Sequence, residues 1–413
     1  MVTIRSFKGL RPQKELAEKV ASLPYDVLNS KEARVLAKGN PYAFYKVGKS
    51  EVDLPEDISL YDERVYQKAR ENLQKFIADK VMVQDTEPHL YIYKQRMGNH
   101  EQYAVVGCAA VDEYHKGIIK KHELTRKDKE DDRTKHTLTI GANAGPVFLT
   151  YRDDKAIDEV VSSYVKNNAP EYDFVKEDGI GHTFWVIKDK AIENKLVELF
   201  KKVPTLYIAD GHHRNASAMR AQAERKAQDP NWNADKEYNY YLAAYFPASQ
   251  LKILDYNRLL FNMNGMNNDQ FMTKLAEKFD FVGQGEHTPG KATRFCMYID
   301  HKWHTLQAKK GTYPENDPID SLDVAILQKN VLQPLFGIDD PRTSKAIDFV
   351  GGIRGHKELE DRVNSGEGKV AFRLHPTSID QLMAVADADK IMPPKSTWFE
   401  PKLRSGIVVH LLD

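Results

Sequence analysis

Cysteine is almost missing from this chain: Cys108 and Cys296 are the only two in 413 residues, and they lie far apart. Such a pair builds neither a disulfide framework nor the paired spacing of a zinc site. Excess charge of either sign is missing too, with 60 Lys and Arg against 60 Asp and Glu. A grip on nucleic acid or an anionic membrane would need a local patch, because the net balance supplies none. No apolar run reaches the roughly 18 residues of a membrane-spanning helix. The opening MVTIRSFKGLRPQKEL lacks the apolar stretch of a signal peptide, so the cytosol is the expected compartment. Several catalytic patterns are also missing. No GxxxxGK[ST] phosphate loop occurs, no GxGxxG follows a strand, and there is no GxSxG elbow. His122-Glu123 does not open a zincin motif, since Arg126 stands where the second histidine would be.

What is present describes a globular protein: 41% apolar and 29% charged residues, with length enough for roughly two to three domains. Strand-like and helix-like segments alternate. Residues 61–81 have apolar positions near helical spacing, and residues 156–167, 192–202 and 378–388 also read as helices. Residues 89–95 and 102–111 read as strands joined by a turn at Met97-Gly98-Asn99. Further strands are expected at 147–151, 182–188, 238–246, 294–299, 304–308 and 369–374. The alternation predicts a mixed α/β (α+β) architecture. A composition shift around Pro230-Asn231-Trp232-Asn233 places a domain boundary between 1–235 and 236–413.

The most informative segment is Val203–Arg214, VPTLYIADGHHR. Thr205 to Ala209 reads as a buried strand, Asp210-Gly211 as a turn, and the alanine-rich stretch to about Lys226 as a helix. The first turn of that helix carries His212, His213 and Arg214. Its N–H groups lack internal partners and the positive end of the helix dipole lies there, so the place suits a phosphate. An ordinary strand-to-helix turn with an Asp cap is the alternative. A transition-metal site from Asp210, His212 and His213 fits worse, because adjacent helical histidines point about 100° apart.

A second cluster runs Lys120-Lys121-His122-Glu123-Leu124-Thr125-Arg126 and on to Asp131-Asp132-Arg133 and His136. Glu123, flanked by His122 and Arg126 near a strand end, has the surroundings of a general base for a hydroxyl. Residues 127–132 read as a solvated charged loop. In the segment 392–406, MPPKSTWFEPKLRSG, two prolines fix an extended entry. Lys395, Ser396, Thr397, Lys402 and Arg404 there offer donors to an anion; a rigid surface loop is the competing reading. Pro24-Tyr25-Asp26 reads as turn chemistry.

IIKKHELTRKDKEDDRTKHT (118–137), GPVFLTYRD (145–153), LYIADGHHRNASA (206–218) and MPPKSTWFEPKLRSG resemble the signature segments of a bacterial and archaeal family of conserved proteins of unknown function. More distantly, DGHHR with Ala218 nearby resembles the phosphate-binding box of the ParB/sulfiredoxin-like superfamily, in the variant carried by its free-serine kinases. His122-Glu123-Leu124-Thr125 resembles the His-Glu-x-Thr-like element of those kinases. The resemblance implies a ParB/sulfiredoxin-like catalytic core with an additional α/β C-terminal region. It also implies a nucleotide-dependent phosphotransferase acting on a small hydroxyl substrate, with free L-serine the first candidate. Asp210, Gly211, His212, His213 and Arg214 would then cradle the phosphates of ATP or ADP. His213 and Arg214 would offset developing charge, and Glu123 would take the hydroxyl proton. Mg2+ would bridge the phosphates with Asp210 as a ligand, and Arg126, His136, Lys395, Ser396 and Thr397 stand as substrate-side residues. A phosphoserine-type phosphatase and a ParB-like nucleotide-binding regulatory protein are the alternatives. Balanced charge and the lack of a helix-turn-helix count against DNA as a partner. The sequence is silent on oligomeric state.

Overall fold

Strands and helices alternate through most of the chain, giving the mixed α/β class that the periodicity predicts. The computed structural model describes residues 1–413, and no helix is long and apolar enough to cross a membrane. The residues form two compact units. The first holds 1–120, 125–251 and 401–413; the second holds 121–124 and 252–400. The expected boundary at 235/236 falls before the strand Tyr240–Pro247, whereas the units divide after it. That strand belongs with the first unit because it pairs with both His100–Ala110 and Val147–Tyr151.

In the first unit a nine-stranded mixed sheet runs Ile119–Lys120, Leu206–Asp210, Val147–Tyr151, Tyr240–Pro247, His100–Ala110, Leu90–Met97, Gly181–Ile187, Tyr172–Val175. Ile4–Arg5 pairs with His100–Ala110 as the ninth strand. The expected hairpin is there: Met97 faces His100, and Gly98 takes the φ of +59° that its two-residue turn requires. Val147–Tyr151 is buried along its whole length, as is usual for strands covered on both faces. The helices Lys155–Asn167 and Lys190–Phe200 bury Ile157, Val160, Leu196 and Phe200 in one core with Leu149, Tyr151, Leu206, Ile208 and Tyr245. Each such large side chain contributes about 1.5–3 kcal/mol by leaving water. Both cysteines are buried and unbridged.

The helix Lys127–Ile140 corrects the reading of residues 127–132 as a solvated loop. Its buried residues are Asp132, Thr134, His136, Thr137 and Ile140, so its inner face is polar and leaves no apolar period to detect. Asp132 makes this possible by accepting hydrogen bonds from Tyr66 Oη and Arg133 Nε, both at 2.8 Å. Lys127 and Asp131 add an i,i+4 ion pair, and Gly141 closes the helix at φ +66°. Residues 14–20 form a 3-10 turn at Lys14–Leu16 and a single α-turn at Ala17–Val20.

The second unit is built on a six-stranded sheet, ordered Phe279–Gln284, Lys302–Ala308, Arg294–Ile299, Val370–Arg373, Tyr256–Leu260, Ile347–Gly351. Every pairing in it is antiparallel. Leu259, Cys296, Tyr298, Trp303, Val350, Leu359 and Ala371 form its core. The helix Ile379–Asp387 starts from a capping box between Ser378 and Gln381.

One buried acid in this unit has a measurable consequence. Asp323 Oδ1 accepts the amide of Thr293 at 2.8 Å, which helps hold Thr293 at φ +65°, while Oδ2 is buried without a hydrogen-bond partner. Burial raises the carboxyl pKa to about 7 from 3.8, against the lowering effect of the Thr293 and His375 amides. Between those values the folded chain keeps a proton that the unfolded chain has lost, so this group's stabilisation is full below the unfolded pKa and disappears as pH rises through the folded one. Asp323→Asn keeps the acceptor and removes the titration. Its unfolding free energy relative to the parent is expected to improve steadily from about pH 4 to about pH 7; parallel pH profiles in chemical denaturation would contradict this.

Candidate functional site: the Asp210–Arg214 turn

The strand Leu206–Asp210 loses register against Val147–Tyr151 just before its end: Ile208 faces Leu149 but Asp210 faces Phe148, leaving Ala209 as an extra residue. Such a bulge bends the strand and re-aims the next side chain. Gly211 follows at φ +90°, and a Cβ there would sit 3.5 Å from Val147 Cα. Space would permit a side chain; the left-handed backbone is what favours glycine. The helix His212–Gln228 begins at once, with Asn215 N–H bonded to Gly211 O at 3.0 Å.

Asp210 is tied on both carboxylate oxygens. Oδ1 accepts the Gly211 amide at 2.8 Å, and Oδ2 pairs with Lys402 Nζ at 2.8 Å. Burial pushes this carboxyl up, but the charge and hydrogen bond of Lys402, with help from Arg214 and the Gly211 amide, hold it well below the usual carboxylate range. The Lys402 side chain is 11% exposed and that of Asp210 37%, so the pair sits at the edge of solvent. Arg214 donates from Nη1 to Pro146 O at 2.8 Å, fastening the first turn of the helix to the start of the neighbouring strand. A cavity of about 20 Å3 opens here between Asp26, Pro146, Asp210, Gly211, Arg214 and Lys402. That is room for one or two waters, so a larger anion would rest across its mouth, against the two cations.

The other residues of the first helical turn have definite places. His212 is buried, and His213 Nε2 accepts the backbone N–H of Arg126 at 3.1 Å. Arg126 is the N-terminal flanking residue of the helix Lys127–Ile140, and its guanidinium pairs with Asp128 at 3.0 Å. Further along, Arg220 meets Asp131 at 2.6 Å and Glu130 at 3.4 Å. The two helices therefore lie side by side with their N-termini together, and their positive dipole ends add at one place.

Lys402 is delivered by the C-terminal segment. Its carbonyl accepts from Gln95 Nε2 at 2.9 Å. Arg404, buried, donates from Nε to His182 at 3.1 Å and pairs with Asp178. Sequence reading noted Lys402 as one donor in a loop, but a partner in Asp210 cannot be seen from spacing. Asp26, set down to turn chemistry, also faces this cavity.

The remaining expected residues are divided between the two units. His136 is buried, with Nε2 on Val47 O at 2.8 Å; burial, aided by Arg133, lowers its pKa to about 4. It is neutral at pH 7 and forms part of the wall of a separate cavity in the same unit. Glu123 belongs to the second unit, where it lines a cavity of about 360 Å3 with Leu124, Asp339, Asp340, Arg342 and Pro393. The His122 carbonyl accepts the Met392 amide there at 2.8 Å. Lys395, Ser396 and Thr397 are in the second unit too. Lys395 O accepts from Arg258 at 3.0 Å, the Ser396 hydroxyl donates to Pro393 O, and Thr397 Oγ1 meets His122 Nε2 at 3.3 Å. These contacts brace the Pro393–Thr397 loop.

Fold and turn together define a mixed α/β protein with a cation-lined strand–glycine–helix junction. Residues 4–325 match the family described as "Protein of unknown function (DUF1015)", and the chain belongs to that family. No curated protein matches it. Among solved structures it is similar to a conserved hypothetical protein from Pyrococcus furiosus, at 14% identity and a TM-score of 0.37 over 75% of this chain and 95% of that one. It is also similar to a free serine kinase in complex with AMP, at 12% identity and a TM-score of 0.36, covering 72% of this chain and 86% of that one. SbnI from Staphylococcus aureus, truncated at its C-terminus, gives 12% and 0.36 over 71% and 82%.

The ion pair at the turn makes a direct prediction. Asp210, with a depressed folded pKa, stabilises the fold above its unfolded pKa, and this is lost only as pH falls through the folded value. In Lys402→Met the burial remains and the counter-charge goes. The Asp210 carboxyl is then expected to titrate at clearly higher pH by carbon-detected NMR, and acid unfolding should begin at higher pH. An unchanged Asp210 titration would contradict the pairing.

Proposed function

We propose that the protein is a nucleotide-dependent phosphotransferase acting on a small hydroxyl substrate, with free L-serine as the first candidate and ATP or ADP as donor. One observation carries the reading: Lys402 and Arg214 flank a glycine turn that opens into a helix N-terminus. Phosphoryl transfer draws most of its catalysis from positioning and from charge stabilisation, and this junction offers both.

In the reaction, the acceptor oxygen forms a bond to the terminal phosphorus as the bond from phosphorus to the departing nucleotide oxygen breaks. Arg214 and Lys402 offset the charge on the phosphoryl oxygens. The acceptor's proton passes to a carboxylate base, the part that the His122–Thr125 resemblance gives to Glu123. His213, whose Nε2 accepts the Arg126 amide, positions the loop before Lys127–Ile140. Mg2+ would bridge the phosphates, with Asp210, whose oxygens meet the Gly211 N–H and Lys402, holding it directly or through water.

The test is turnover. With ATP or ADP and L-serine, the parent protein is expected to consume nucleotide and yield a phosphorylated acceptor. Arg214→Ala is expected to lower the rate by on the order of 10²-fold or more, as loss of a charge-stabilising donor does. Full turnover by Arg214→Ala with every nucleotide would overturn the reading. Release of orthophosphate from a phosphoester without nucleotide would indicate a phosphatase instead.

A further inference from the structure

Behind Arg214, inside the first unit, lies a second cavity of about 50 Å3. Its wall includes Tyr25, Lys49, Arg133, Arg214 and Ser405, and no carboxylate lines it. The charges of Lys49 and Arg133 are balanced from outside the wall: Lys49 pairs with Glu51 at 3.1 Å and Arg133 with Asp132 at 2.7 Å. Arg214 makes its side-chain hydrogen bond to a neutral carbonyl, that of Pro146. A guanidinium has five N–H donors, more than the single Pro146 carbonyl engages.

Tyr25 brings the two guanidinium groups together. Arg133 Cζ lies 4.2 Å and Arg214 Cζ 5.6 Å from the centroid of its ring. Burial pushes the Tyr25 hydroxyl well above its ordinary pKa, so it remains a protonated donor at neutral pH. His136, also in the wall, is neutral for the reason given above and adds no charge. Gly145 keeps the wall open: a Cβ there would meet Ser405 Oγ at 2.7 Å and Arg214 Nη1 at 3.2 Å. The cavity holds three or four water-sized groups, at about 10–15 Å3 for each, which is too little for a nucleotide and enough for a compact anion.

We propose that this cavity is a binding site for a small oxyanion, a carboxylate or inorganic phosphate of no more than about five heavy atoms, held between Arg133 and Arg214. The site is separate from the turn cavity, sharing only Arg214 with it, and it stands whether or not the turn transfers phosphoryl groups.

The probes are inorganic phosphate, acetate and glycolate, titrated by calorimetry into the full chain. Phosphate binding alone assigns the inorganic source and carboxylate binding alone a small organic acid; either supports the site. Gly145→Ala fills the wall, and the charge-neutral pair Asp132→Asn with Arg133→Gln removes one cation without stranding its partner. Each is expected to weaken the bound probe at least tenfold, while Asp323→Asn, in the second unit, leaves its affinity unchanged. If the double variant does not fold, Gly145→Ala and Ser405→Ala decide. Equal affinity in the folded cavity variants would overturn the proposal. So would loss of binding in Asp323→Asn alone, or no binding of any probe at millimolar concentration.

Discussion

A single carboxylate, Asp210, organises the junction on which the functional reading depends. It accepts the amide of the glycine that follows it and the ammonium of Lys402. The strand bulge aims Asp210, the left-handed Gly211 turns the chain, and the Arg214 bond to Pro146 O seats the helix. The pair is only partly shielded from water, so it costs less to desolvate than a fully buried one. It can also exchange Lys402 between Asp210 and an incoming anion without leaving either charge stranded in a dry interior.

Charge is distributed in a way that the neutral total of 60 against 60 conceals. Around the turn, two helix N-termini and two cationic side chains converge on a short stretch of backbone. Behind it, a pocket without a carboxylate in its wall is lined by Lys49, Arg133 and the same Arg214. Arg214 thus faces two cavities. Its backbone lies in the first turn of a helix and its guanidinium is braced by a carbonyl and an aromatic ring, so it needs little reorganisation to meet an anion on either side.

The sequence made the local parts of this arrangement legible. Strand, glycine turn and alanine-rich helix at 205–226 carry their own propensities, and the Gly98-Asn99 hairpin is fixed by its turn residues. The helix Lys127–Ile140 was not legible, because its buried face is made of Asp132, Thr134, His136 and Thr137 and gives no apolar stripe. His136, expected on the substrate side, is buried in that face with Nε2 on Val47 O. The partnership of Lys402 with Asp210 spans 192 residues, and nothing in local spacing encodes a contact of that range. The unit boundary lay beyond the polar stretch at 230–233 because the next strand closes the first sheet and cannot be left out of it.

The most direct measurement is a crystal structure of the full chain with ADP. The account requires phosphate oxygens within hydrogen-bond distance of the Arg214 guanidinium and Lys402 Nζ at the mouth of the turn. Phosphates bound at another place, with the Asp210–Lys402 pair undisturbed and nothing touching Arg214, would contradict it.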